Sequence, residues 1–322
     1  MSVNAREIAI IGAGVVGVSC ARWLQRDGHR VRILDPDPPG EGCSWGNAGV
    51  IAADTVLPVA TPQTLRALPR MLADPTGPLA VRWGYLPWMT TWFLRFLWNA
   101  RPARVRANAA ALAALCREAM PGYAPLVDGR SAGELMAHTG WVTAFETRKA
   151  FSQVQWELEQ KRQFGVEAHS LDGSALRERV PQLAEHLVGG VWFPDTWMVA
   201  DPGDFVARLA ADVVEAGGMV ERVRAEALAP TERGVRVQTD QGAFDADHAV
   251  VATGAHTRPL ARSVGDDFPL DTERGYHAML PAAGIAPPMP VMAGEHKFVT
   301  TPMRGGLRLA GTAELAGLKR PP

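Results

Sequence analysis

The sequence predicts an α/β protein: a doubly wound parallel sheet interrupted by a second, α+β domain with a mixed sheet. Three observations predict it. The chain opens with a strand, a glycine-rich turn, a helix and a second strand; an apolar strand of the same kind returns only after residue 245; and the sequence between them contains helical stretches, tryptophans and prolines. At 322 residues the chain is long enough for two domains.

The opening unit is the most specific. Ile8-Ala9-Ile10-Ile11 is an apolar run of strand length, and Gly12-Ala13-Gly14-Val15-Val16-Gly17 follows at once with the spacing G-x-G-x-x-G. Ser19 to Asp27 predicts the helix, Gly28 ends it, and Val31-Arg32-Ile33-Leu34 is a second strand delivering Asp35. In this order each residue has a physical task. Gly12 permits the tight turn, Gly14 lets backbone approach a pyrophosphate, and Gly17 lets helix pack on strand. Phosphates are then received by N–H groups at a helix N-terminus, where the dipole favours them. Asp35, 18 residues beyond Gly17, falls near the position where an acid bonds a ribose hydroxyl. The unit predicts a Rossmann-like dinucleotide site.

The remaining elements follow in order. Gly40 to Val50 is rich in small residues and predicts irregular structure, with Cys43 as a small buried thiol. Residues 61–130 read as helices broken by prolines. Leu171 to Pro181 predicts a short helix with Ser174 as N-cap, and Asp201-Pro202-Gly203-Asp204 opens a helix to about Ala216. Strands are expected over Met219–Arg224, Val235–Thr239 and Ala243–Ala246, the last two joined by a turn at Asp240-Gln241-Gly242. Val250-Val251-Ala252-Thr253-Gly254 reads as a buried strand ending in a small-residue turn, and strand-like pieces occupy Arg274 to Thr312. The expected division is 1–58, 198–262 and 308–322 for the nucleotide domain, with 59–197 and 263–307 for a substrate domain. A nicotinamide domain runs strand and helix without interruption. A nucleotide domain split by an inserted domain points to FAD.

Composition excludes other classes. A net charge of −1 argues against a nucleic-acid partner, whose affinity would rest on neutralising phosphates. Cys20, Cys43 and Cys116 form neither a disulfide framework nor a metal motif, which indicates a reducing, cytoplasmic compartment. The first apolar run is a strand rather than a signal peptide, and no apolar stretch is long enough to span a bilayer. No metal-ligand spacing or nucleophile–base motif stands out. Between Pro75 and Arg117 there is no acid, while Arg82, Arg95, Arg101, Arg104, Arg106 and Arg117 occur, and Trp88 to Trp98 sets aromatics at helical spacing. Two readings stay open: peripheral contact with an anionic membrane through 83–106, or a wall of the substrate domain with its tryptophans buried.

Gly12–Gly17 with Asp35, the loop Cys43-Ser44-Trp45-Gly46-Asn47-Ala48-Gly49, and Val250 to Ala255 together resemble the FAD-dependent D-amino-acid dehydrogenase and amino-acid oxidase (DAO) superfamily. Glu273-Arg274-Gly275-Tyr276-His277 resembles a substrate-domain strand of its dehydrogenase branch. The resemblance implies FAD contacts at Gly12, Gly14, Gly17, Asp35, Ser44, Asn47, Ala48, Gly49, Thr253 and Gly254. It implies oxidation of a D-amino acid at its C–N bond, with electrons passing to a quinone or respiratory carrier. The alternatives are a flavin oxidase acting on glycine, sarcosine or a hydroxy acid, and a non-catalytic remnant. On the expected strand, Arg274 and Tyr276 share a face suited to a substrate carboxylate and His277 takes the other; all three are candidate substrate contacts. Glu314 has no assignable role. Two departures accompany the resemblance. Asp35 stands where family members more often carry Glu, and the chain stops at Pro322 where they continue, so it is expected to be a fragment or to lack part of the site.

Overall fold

The computed structural model describes residues 5–73, 77, 79–81 and 83–318; Arg82 of the basic stretch and both termini of the expected nucleotide domain lie outside them. The chain divides into two compact units. One comprises Met1–Gly46, Tyr123–Leu135 and Asp201–Asp271, the other Asn47–Gly122, Met136–Ala200 and Thr272–Pro322.

The first unit is built on a parallel sheet in the order Met219–Glu221, Arg30–Leu34, Glu7–Ile11, His248–Val251. Ile10 sits in register between Ile33 and Val250. Ile10 and Ile33 have no exposed surface, and burying such a side chain stabilises the fold by about 1.5–3 kcal/mol. Helix Val15–Arg26 follows the first strand, and its Val18 and Ala21 are buried. It begins four residues before the expected Ser19 because Gly14, in extended conformation, serves as N-cap. Helix Pro202–Glu215 buries Phe205, Val206, Leu209 and Val213 at helical spacing. Its N-cap Asp201 accepts a hydrogen bond from the Asp204 N–H at 3.1 Å. The antiparallel sheet Ala225–Thr231, Gly234–Thr239, Gly242–Ala246 contributes Leu228 and Val237 to a core shared with Ala9, Ile11 and Leu34. The strand expected over Met219–Arg224 stops at Glu221.

The second unit holds the mixed sheet. Its order is Arg274–Leu280, Gly306–Leu315, Val299–Met303, Val291–Ala293, Trp141–Phe145, Gly189–Phe193, His169–Asp172, with Leu79–Val81 pairing along Gly306–Leu315. Val291–Ala293 runs parallel to Trp141–Phe145, and Leu79–Val81 runs parallel to Gly306–Leu315. A small antiparallel sheet joins Val50–Ala52, Thr196–Val199 and Met136–His138. Helix Gly173–Arg179 is capped by Asp172, not Ser174: the Asp172 carboxylate accepts from Ala175 N–H at 2.9 Å. The expected proline-broken helices include Pro62–Ala73, Leu86–Asn99 and Pro102–Arg117. On Leu86–Asn99 only Met89 is fully buried among the large apolar side chains described, while Trp88 is 79% exposed and Leu94 and Trp98 are open as well. These two tryptophans are therefore surface groups rather than wall.

Candidate functional site

In the first unit the glycine turn is held by contacts that a side chain would break. Gly12 takes φ +110°, and a Cβ there would lie 2.5 Å from the Ala252 carbonyl oxygen, so the turn abuts the small-residue end of the His248–Val251 strand. A Cβ on Gly17 would collide with the Gly12 carbonyl oxygen. Gly14 differs, since a Cβ there meets nothing nearer than the Ser44 hydroxyl at 3.4 Å. Gly14, having no side chain, cannot itself cap the helix it opens. Ser44 reaches back instead, accepting from the Val15 N–H at 3.0 Å. Asp35 braces the same turn: one carboxylate oxygen accepts from Ala13 N–H at 2.7 Å and the other from Asp37 N–H at 3.0 Å. Thr253 and Gly254 follow the neighbouring strand, with Gly254 at φ +53° and the Thr253 hydroxyl 3.2 Å from that of Thr257. Gly12, Gly14, Gly17, Asp35, Ser44 and the Ala252–Thr253 turn thus gather around one helix N-terminus. Cys43, expected to be buried, is exposed, because this loop runs along the surface.

In the second unit Asn47, Ala48 and Gly49 form a loop tied to the mixed sheet. The Asn47 side chain accepts from Gly49 N–H at 2.7 Å, closing a local turn. Gly49 sits at φ +63°, where a Cβ would lie 2.5 Å from the Val199 carbonyl oxygen. Two buried side chains hold the loop from the sheet. Thr301, with no exposed surface, donates to the Ala48 carbonyl at 2.8 Å, and Arg308, 5% exposed, donates to the Asn47 carbonyl at 2.8 Å. Neither residue is found by sequence reasoning. The one available signal was an arginine inside the otherwise apolar Leu307–Ala310 stretch.

The substrate candidates lie on the adjoining strand of this unit. Arg274 and Tyr276 do share a face, because both reach the same oxygen of Glu314, at 2.9 Å from the guanidinium and 2.6 Å from the phenol. A register irregularity between Gly275 and Tyr276 accommodates this. Glu314, left without a role by sequence reasoning, is 4% exposed and is the hub of the cluster. Tyr276 and Glu314 hold the Arg274 guanidinium above its ordinary pKa. His277 lies in register with Ala310 on the neighbouring strand, and burial, with the Arg308 cation adding, pushes its pKa down. A neutral imidazole at pH 7 results.

Over residues 7–322 the sequence matches the family described as DAO, FAD dependent oxidoreductase. The chain belongs to this family. It is 38% identical to a D-amino-acid oxidase of Bradyrhizobium diazoefficiens over 98% of its own length and 76% of the relative's. It is 31% identical to a D-amino acid dehydrogenase of Dechloromonas aromatica, over 96% of this chain and 77% of that one. Among solved structures, glycine oxidase from Geobacillus kaustophilus superposes with TM-score 0.62 at 21% identity, covering 98% of this chain and 72% of the other. L-α-glycerophosphate oxidase from Mycoplasma pneumoniae, solved with FAD bound, gives TM-score 0.63 at 16% identity, covering 98% and 73%. The protein is an FAD-dependent oxidoreductase, and the first unit fits its cofactor. The space in front of Gly14 at the helix N-terminus is open, as a pyrophosphate requires: a Cβ there would meet only the Ser44 hydroxyl, at 3.4 Å.

Proposed function

We propose that this oxidoreductase oxidises the C–N bond of D-amino acids, passing the electrons to a quinone or another respiratory carrier. The observation that carries the reading is the 38% identity, over nearly the whole chain, to a protein named D-amino-acid oxidase. The relative named D-amino acid dehydrogenase favours an acceptor other than oxygen. The chemistry supplied by FAD when bound is two-electron oxidation of the substrate to an imine, which water converts to keto acid and ammonia.

The chain's own residues then bind and orient. Gly12, Gly14 and Gly17 shape the turn that receives the pyrophosphate. Asp35 uses its remaining lone pairs for a ribose hydroxyl while bracing Ala13. Ser44, Thr253 and Gly254 line the nucleotide, and Asn47, Ala48 and Gly49 approach the flavin ring. Arg274, which also donates to Glu314 and to the Gly317 carbonyl, receives the substrate carboxylate, and Tyr276, whose hydroxyl donates to Glu314, lies beside it as the second candidate contact on that face. His277, on the other face of that strand beside Arg308, is a substrate candidate apart from this carboxylate site. Anaerobic mixing of the holoprotein with a panel of D- and L-amino acids, glycine and sarcosine tests this reading. Bleaching of the flavin by D-amino acids is expected, and bleaching by glycine, sarcosine or L-amino acids alone overturns it.

Peripheral contact with the cytoplasmic face of a membrane belongs to the same reading. Trp88, Phe93, Leu94, Leu97 and Trp98 are exposed on one helix beside exposed Arg95. Arg101 stacks over the Trp98 ring at 3.6 Å. Among the described residues no helix is long and apolar enough to cross a membrane. Arginines near an anionic surface contribute on the order of 1 kcal/mol each, and salt screens them. Binding to phosphatidylserine vesicles should fall with salt and be lost when Trp88, Trp98 and Arg95 are replaced together. Salt-independent or unchanged binding removes the membrane from the reading.

A further inference from the structure

Within the second unit, a cavity of about 310 Å³ opens where the small sheet meets the end of helix Pro102–Arg117. Its apolar wall includes Val56, Met120, Phe164 and Phe193. Three polar groups around it lack partners among the described residues. Arg117 and Asp195, both exposed, make no ion pair with each other or with any other side chain. Thr196, which has no exposed surface, has a hydroxyl with no hydrogen-bond partner. By contrast Asp54, which also lines the cavity, is fully engaged: Lys161 donates to one of its oxygens at 2.9 Å and the Trp141 indole to the other at 3.0 Å. Its charge is therefore balanced from behind and is not offered to a ligand.

A buried hydroxyl left unpaired is unfavourable, and a ligand that satisfies it would remove that cost. The volume is at the lower end of the range for small-ligand sites. Glu167, which also lines the cavity, lies 2.7 Å from the His169 ring, so one guanidinium, the Asp195 carboxylate, a hydroxyl able to donate or accept, and an apolar wall are left to face a ligand, and together they suit a zwitterion. We propose that this cavity is a second binding site, for a free zwitterionic amino acid with an apolar side chain. Arg117 pairs with the ligand carboxylate, Asp195 with its ammonium, Thr196 completes the hydrogen bonding, and the side chain lies on Phe164 and Phe193. No chemistry occurs there. The site is separate from the Arg274–Tyr276–Glu314 cluster and does not depend on which amino acid the flavin oxidises.

Calorimetric titration of the holoprotein with L-leucine tests the proposal, run beside leucinamide, which lacks the carboxylate charge, and 4-methylpentanoate, which lacks the ammonium. Trp197, which stacks on His138 with ring centroids 4.9 Å apart and lines the cavity, supplies a fluorescence readout. Saturable binding of leucine is expected, with each analogue weaker by at least tenfold. Arg117→Gln and Asp195→Asn, both at exposed positions, are each expected to weaken it about tenfold, and Thr196→Val by a few fold. The flavin spectrum reports that each variant is folded. Absence of saturable binding overturns the proposal. So does either analogue binding as tightly as leucine, or binding that Arg117→Gln and Asp195→Asn both leave unchanged, which would place the leucine elsewhere. Flavin bleaching by D-amino acids is read separately, so failure of this site leaves the proposed reaction standing and the reverse.

Discussion

The glycine turn of the first unit and the Asn47–Gly49 loop of the second are both backbone devices, yet they are built in opposite ways. At the turn, shape comes from what is missing: Gly12 and Gly17 abut carbonyl oxygens, and no side chain could stand in either place. At the loop, shape comes from what is supplied from afar. Thr301 and Arg308 reach Ala48 and Asn47 across 253 and 261 residues of sequence. A local device is written in consecutive residues, whereas a tertiary one depends on strand register.

Replacing Gly12 by Ala strikes the local device hardest. The substitution combines a left-handed φ with a Cβ 2.5 Å from the Ala252 carbonyl, together worth roughly 3 kcal/mol or more. We expect FAD affinity to fall by at least about a hundredfold and the protein to purify colourless. Retention of the yellow holoprotein would mean that the turn has slack, and the contrast with the loop would be lost.

Arg308→Met tests the tertiary device. It removes a charge-assisted hydrogen bond and leaves the Asn47 carbonyl short of a partner, a loss of about 1.5–3 kcal/mol. FAD affinity measured by equilibrium titration should fall between roughly tenfold and a hundredfold, with partial recovery in Arg308→Lys. Thr301→Val should cost less, about 1 kcal/mol. If both variants bind FAD like the parent, the loop needs no support from the sheet.

This contrast explains what could be read from the sequence. Gly12, Gly14, Gly17 and Asp35 were legible because strand, turn, helix and acid are contiguous, and the parallel sheet followed from them. The hairpin turn at Asp240-Gln241-Gly242 was legible for the same reason, Gly242 taking φ +129°. Arg308 and Glu314 were not. Glu314 becomes a hub only because a register irregularity lets Arg274 and Tyr276 reach one of its oxygens from 40 and 38 residues away. Cys43 is exposed, and its small neighbours Gly42 and Ser44 carry no signal of whether a loop lies in or on the protein.

A smaller effect is expected at Arg274. If its guanidinium receives the substrate carboxylate, Arg274→Gln should raise KM for a D-amino acid about tenfold while kcat changes less than threefold. A fall in melting temperature with KM unmoved would show that Arg274 serves only to balance Glu314.

The smallest effect is the pH dependence of His277, and it bears directly on the tertiary device. Burial first, and the Arg308 cation second, push its pKa below the ordinary 6.5. In the unfolded chain the imidazole takes up a proton near 6.5, whereas in the folded protein it does so only at lower pH. Between those two values the unfolded state holds more protons, so stability rises with pH there. The contribution is complete above 6.5 and is lost as pH falls through the folded value. Melting temperatures across pH 5 to 8 should therefore decline more steeply on the acid side for the parent than for His277→Gln. Other histidines and carboxylates titrate in the same range, so the difference between the two curves is the quantity to read. Repeating the pair in an Arg308→Met background sharpens the test. Removing the neighbouring cation should raise the folded pKa toward 6.5 and narrow the difference without abolishing it, because burial remains. A difference unchanged by Arg308→Met would mean that the guanidinium holding Asn47 exerts no field on His277, and that the two residues share a sheet without acting on each other.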